Sequence, residues 1–252
     1  MILQLITPPT TEPVTQTDVF NQIRQDVDTF QDSTTLVDML ITAVRERAES
    51  VTNRALLTQT WELTLDRFPN FSWNYGQEGG SYGNRIRIPK PPLVSINSII
   101  YIDIDGNEQT LDPSFYKVVS KAEPAYVQPA YGTVWPATLN DSAVITINFI
   151  CGYIYNIPFS PTAVYTAGEV VDYNGTGYTC TALTTAGILP TVTAHWAVSN
   201  NVPKSIKQWM LLNIANLIEN RESIGVAYRE TKYDITESLA DVLIENFRIH
   251  RL

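Results

Sequence analysis

Histidine and cysteine are scarce in this sequence, two of each in 252 residues. His195 and His250 stand far apart, and neither Cys151 nor Cys180 has a partner at metal-ligand spacing, so no metal site is assigned. With no secretory context, these two read as reduced, buried thiols. Basic residues are also few. Seventeen Lys and Arg against 26 Asp and Glu give a formal charge of -9, which argues against a surface that grips nucleic-acid phosphates. No apolar run approaches the ~18 residues of a membrane span. The opening MILQLITPP has no basic start and is interrupted by Pro8 and Pro9, so no signal peptide is expected. The nucleophile elbow, the phosphate loop and the dinucleotide fingerprint are all missing. No catalytic residue, metal ligand or cofactor site is therefore assigned, and a non-enzyme is expected. Asp103, Asp105 and Glu108 in DIDGNE echo a calcium loop but lack its closing glutamate, and an Asp105-Gly106 hairpin turn explains them better.

What is present is an ordinary globular composition, 44% hydrophobic and 17% charged, long enough for one or two domains. The prolines of LITPPTTEPVT predict an extended arm. A helix follows, capped by Thr17 or Asp18, with Val19, Ile23 and Val27 on one face. A second helix, capped by Asp32 or Ser33, carries a stripe of Leu36, Val37, Leu40, Ile41, Val44, Ala48 and Val51. Its other face, Arg45, Glu46, Arg47 and Glu49, reads as solvated.

The middle of the chain alternates apolar and polar residues. TQTWELTLDRF, RIRIP, the run to DIDGNE, FYKVV and AVITINFICGY read as strands, with a long hairpin tip over Phe71 to Asn84. After Asn200 or Asn201 as cap, Pro203 opens a helix apolar nearly all round, which predicts burial on more than one side. Residues 221–234 read as an exposed loop, and Leu239, Val242, Leu243 and Phe247 as the stripe of a last helix. The fold class expected is α+β: N- and C-terminal helices packed on a central β-sandwich or barrel.

Five blocks, in order, carry a resemblance. They are LITPPTTEPVT, RALLTQTWELTLDRFP, RIRIPKPPLVSINSIIYIDIDGNEQTLDPSFYKV, WPATLNDSAVITINFICGY and the closing LIENFRI. A strand ending Gly-Tyr that leads to VPKSIKQWMLLNIANLIENRE adds to them. Together they resemble the head–tail connector (head-completion adaptor) proteins of long-tailed bacteriophages. In that family the Gly-Tyr and the Val-Pro are separated by a short loop; here 159–200 stands between them as an inserted all-β module, leaving 1–158 and 201–252 as the connector core. The resemblance implies a virion structural protein in the head–tail neck, made in the bacterial cytoplasm. It implies a ring, dodecameric in the family, that sits on the portal, extends the DNA channel and meets the next connector or a tail-terminator protein. Double-stranded DNA would pass through its lumen without sequence-specific binding. Portal docking falls on Phe247, Arg248 and Ile249.

The inserted segment has its own likeness. Tyr165, Gly168, Val170, the turn at Asn174-Gly175, Tyr178, Cys180, Pro190 and Trp196 resemble the small chitin-binding type of carbohydrate-binding module. So short a domain leans on its aromatics for a core. Ala182 and Leu183 occupy the place where sugar-binding members display rings, which favours Tyr165, Tyr178 and Trp196 as module core over glycan contacts. Binding of a host-surface polysaccharide through this module is the alternative function.

Overall fold

The computed structural model describes residues 1–25, 34–69, 84–154, 157–174, 176–219 and 235–249. Among them the fold is α+β, with four α-helices and three sheets of antiparallel strands. The chain forms two compact units. One holds Met1–Pro9, Thr58–Tyr153 and, at the C-terminus, Ile249; the other holds Thr10–Leu57 and Ile154–Arg248.

The first unit is built on β8 (Ile145–Cys151), whose strict alternation buries Ile145, Ile147, Phe149 and Cys151. It is flanked by β2 (Gln59–Leu65) and β4 (Leu93–Ile102), and the register sets Leu63 and Ile99 on either side of Ile147. All three are fully buried, and each such side chain contributes about 1.5–3 kcal/mol relative to exposure. With β1 (Ile2–Thr7) and β5 (Glu108–Thr110) the sheet order becomes β1-β2-β8-β4-β5. A smaller sheet, in the order β3-β7-β6, joins β3 (Ile86–Arg87), β7 (Tyr126–Pro129) and β6 (Tyr116–Val119).

Two strands were not read from the sequence. The arm predicted as merely extended pairs with β2 over Ile2–Thr7, because its prolines begin only at Pro8 and leave those amides free for the ladder. β7 lies between Pro124 and its own Pro129, which mask the strand signal. The hairpin at DIDGNE is a turn, as expected. Asp103 accepts the Asp105 and Asn107 N–H groups at 3.0 and 2.9 Å and the Gln109 amide at 3.0 Å, and Gly106 takes φ 84°. Of the predicted 71–84 tip, only Asn84 is among the described residues; its carbonyl accepts the Trp135 indole N–H at 3.1 Å.

The second unit contains α1 (Gln16–Ile23), α2 (Thr34–Thr52), α3 (Lys204–Glu219) and α4 (Ile235–Glu245), with β9 (Val170–Tyr173), β10 (Thr176–Cys180) and β11 (Trp196–Ser199). The cap of α1 is Thr15, not Thr17 or Asp18. Asp18 is the acidic partner three residues on, and its carboxylate returns to the Thr15 N–H at 2.8 Å. Val27 and the predicted caps Asp32 and Ser33 lie outside the described residues, as does the 221–234 segment. The polar face of α2 is not wholly solvated: Glu46 and Arg47 are exposed, but Arg45 and Glu49 are buried. Arg45 meets Glu12 at 2.8 Å and Glu49 at 3.2 Å, and Glu49 also accepts the Leu56 N–H at 2.9 Å.

α1, α2 and α4 all pack against α3, which buries Ile206, Trp209, Met210, Ile214 and Ile218. Leu212 and Leu217, about 140° apart around the helix, remain exposed. α3 begins one residue beyond Pro203, whose carbonyl accepts the Ile206 and Lys207 N–H groups. Asn200 instead donates to the Glu12 and Pro13 carbonyls, tying the helix start to the segment before α1. Of the predicted last-helix stripe, Leu243 and Phe247 are half-buried, Val242 is exposed and the side chain of Leu239 lies outside the described residues, while Ala240 and Ile244 are buried beside them. Nothing in the sequence period alone distinguishes these adjacent faces.

Candidate functional site

The inserted segment folds as the sheet β11-β10-β9. Thr176 pairs with Tyr173, so Asn174 and residue 175 form the connection; Asn174 adopts φ 54°, and residue 175 is outside the described residues. The small core consists of Tyr165, Val171, Cys180 and Trp196, with Phe159, Tyr178 and Ile188 packed on it. Phe159 is the hub, with ring centroids 5.7 Å from Tyr165, 5.5 Å from Tyr173 and 6.2 Å from Trp196. Tyr165 and Trp196 close the group at 5.1 Å, edge to face. The sequence reading did not single out Phe159, because it precedes the pattern of the resembled module.

Trp196 is 2% exposed and its indole N–H has no hydrogen-bond partner among the described residues. Tyr178 is half-buried, and among the described residues of 159–200 none of the aromatic rings is exposed. The exposed apolar side chains of this sheet and its loops are aliphatic, Leu183, Leu189, Val192 and Val198 among them. Aliphatic tips do not supply the stacking platform that a sugar ring uses. His195 is held by its Nδ1 against the Leu183 carbonyl at 3.1 Å. Cys151 and Cys180 are both buried, and neither is in a disulfide.

The C-terminal candidates Phe247, Arg248 and Ile249 are all half-buried. The Phe247 carbonyl accepts Nε of Arg54 at 2.7 Å, and the Arg54 guanidinium lies 6.0 Å from the Phe247 ring centroid. Arg248 pairs with Glu245 at 3.0 Å and with Asp241 at 3.9 Å. Asp241 in turn accepts the Trp209 indole N–H at 3.2 Å. Phe247 is thus tied to Arg54 just past the end of α2, and Arg248 to α4 itself, whose Asp241 bonds α3. His250, Arg251 and Leu252 lie outside the described residues.

No helix among the described residues is long and apolar enough to cross a membrane, and no group of three or more His, Cys, Asp or Glu is placed to hold a metal ion.

No protein-family model matches the chain, and no curated protein does. Solved structures do. A chain in a structure described as the neck of an empty gene transfer agent (GTA) particle computed with C6 symmetry aligns with TM-score 0.60 at 14% identity, over 100% of this chain and 97% of that one. A chain of the virion of a native GTA particle gives 0.59 at 15% identity, and one of the neck of a native GTA particle computed with C12 symmetry gives 0.53 at 15%, both with the same coverage. At these identities the likeness establishes the fold: the chain shares, end to end, the fold of proteins found in GTA particles and their necks.

Proposed function

We propose that this chain is a structural protein of the neck of a phage-like particle, a head–tail connector that forms a ring on the portal. The observation that carries the reading is the full-length likeness to chains of GTA virions and necks, covering 97% of those chains. Necks computed with C6 and C12 symmetry favour a cyclic assembly, and the twelvefold case agrees with the dodecamer implied by the resemblance. The work of such a protein is assembly: interfaces on its flanks, a docking segment for the portal, a face for the next connector or tail terminator, and a lumen that lets double-stranded DNA pass. A net charge of -9 suits a channel through which DNA slides without adhering. No catalytic step is required.

Within this reading 1–158 and 201–252 are the connector core and 159–200 is an inserted module whose role is structural. Closing a longer loop is cheap, about 0.6 kcal/mol per doubling, so such an insertion costs the core little. Phe247, Arg248 and Ile249 are the portal-docking candidates, presented at the end of α4. The rival reading, polysaccharide binding through Tyr165, Tyr178 and Trp196, needs exposed rings, and Tyr165 and Trp196 are buried.

Deleting 159–200 separates the two. Mass measurement of the purified deletion variant with the portal protein should still give a ring-sized complex, whereas loss of that complex together with retained glycan binding by the full chain would favour the rival.

A further inference from the structure

The first unit carries two complementary surface features. Between the end of β2 and β3 lies a cavity of about 550 Å³, lined by Leu65, Phe68 and Ile86 together with Arg67, Arg85 and Arg87. Phe68 and Ile86 are buried and give it an apolar floor, while Arg67 and Arg87 are exposed at its mouth. Arg85 is fixed in place: Nε donates to Gln128 at 3.0 Å, and the guanidinium lies 4.2 Å from the centroid of the Tyr126 ring. Arg67 and Arg87 have no carboxylate partner among the described residues. In a chain of net charge -9, this is a local concentration of positive charge.

At the β5 edge of the five-stranded sheet stands the β4–β5 turn. Ile104 is 66% exposed at its tip, between Asp103 and Asp105. The Asp103 carboxylate is consumed inside the turn, holding it rigid through its bonds to Asp105, Asn107 and Gln109. Asp105 and Glu108 are exposed, and their carboxylates have no partner among the described residues. The ladder register puts the two features at one height. Ile102 pairs with Glu108, Tyr101 with Ile145, Ile145 with Leu65, and Thr64 with Ile2.

We infer that the β4–β5 tip of one copy docks in the arginine-lined cavity of the next copy, Ile104 entering the apolar floor and Asp105 and Glu108 facing Arg67 and Arg87. This rests on the ring reading proposed above. A closed ring repeats one heterologous contact, so each copy must carry two different surfaces that fit one another. An apolar knob flanked by carboxylates matches an apolar floor flanked by guanidiniums in both respects. A nucleic-acid backbone would meet the arginines but leave the floor uncovered. A turn held by Asp103 and an Arg85 held by Gln128 and Tyr126 also lower the ordering cost of docking. Charged pairs at the rim make the contact weaken with salt.

The test uses the full chain with the portal protein, two double variants, and mass photometry plus electron microscopy. Arg67→Glu with Arg87→Glu, and separately Asp105→Lys with Glu108→Lys, should each retain the wild-type circular dichroism spectrum while the ring fraction falls at least about tenfold. Mixed in equal amounts, the two variants should regain rings, because every interface in an alternating ring is again charge-matched. Rings formed normally by either variant, or no recovery on mixing, would overturn the inference. So would loss of binding to a short DNA duplex in the Arg67→Glu, Arg87→Glu variant with its rings intact, which would assign the cavity to nucleic acid. If the wild-type chain itself makes no ring, the ring reading fails first, and that result is distinct from all of these.

Discussion

Arg45 on α2 and Glu12, 33 residues earlier, form a 2.8 Å ion pair, and the same guanidinium holds Glu49 at 3.2 Å. Arg45 is 6% exposed, so this link joins the segment before α1 to the middle of α2 away from most of the solvent. Removing one member of a buried pair leaves the other charge uncompensated. Arg45→Ala should therefore cost about 3 kcal/mol in urea unfolding. Glu49→Gln keeps an oxygen for the Leu56 N–H and should cost only about 1 kcal/mol. Equal losses for the two would contradict the arrangement.

The aromatic core of the inserted sheet gives a second expectation. Trp196→Ala removes a ring that touches both Phe159 and Tyr165 and should destabilise the sheet by about 3–5 kcal/mol. Trp196→Phe also removes the indole N–H that has no partner among the described residues, so part of the lost packing is offset and the cost should stay under about 2 kcal/mol. Denaturation followed by the NMR signals of β9–β11 reads both.

At the other end of the unit, Arg54→Ala deletes the donor to the Phe247 carbonyl. Hydrogen exchange over 244–249 should speed up severalfold, at a stability cost of about 2 kcal/mol. Under the portal-docking proposal the same variant should bind the portal less tightly, because the docking segment is less ordered beforehand.

The β4–β5 turn should respond to acid. The Asn107 N–H first, then the Gln109 amide, hold the Asp103 carboxyl below its usual value. A group whose folded pKa is depressed contributes stability that is present above its unfolded pKa, near 3.8 here, and lost as pH falls through the lower folded value. Asp103→Asn should remove that acid limb from the exchange protection of 103–109 and leave protection at neutral pH weaker but flat. An unchanged acid limb would show that another group titrates there.

Much of this architecture was legible in the sequence because it follows from period alone. The alternation of ITINFIC marks a strand buried on one face, and the apolar positions of α3 mark a central helix. What escaped depends on partners far along the chain. Ile2–Thr7 becomes a strand only because β2 is there to pair with it. Arg45 reads as a surface residue until Glu12 and Glu49 meet it. The phase of α4 is decided by what it packs on, and a stripe containing Val242 is as regular in sequence as the buried one with Ala240 and Ile244. The arginine-lined cavity was invisible for the same reason, since Arg67 and Arg85 converge only in the folded unit.

The most direct test of the central claim is electron microscopy of this chain co-expressed with the portal protein of the same particle. The account predicts rings of this protein stacked coaxially on the portal, with the module of 159–200 visible as a discrete density on each copy. A chain that purifies away from the portal and forms no ring with it would contradict the account.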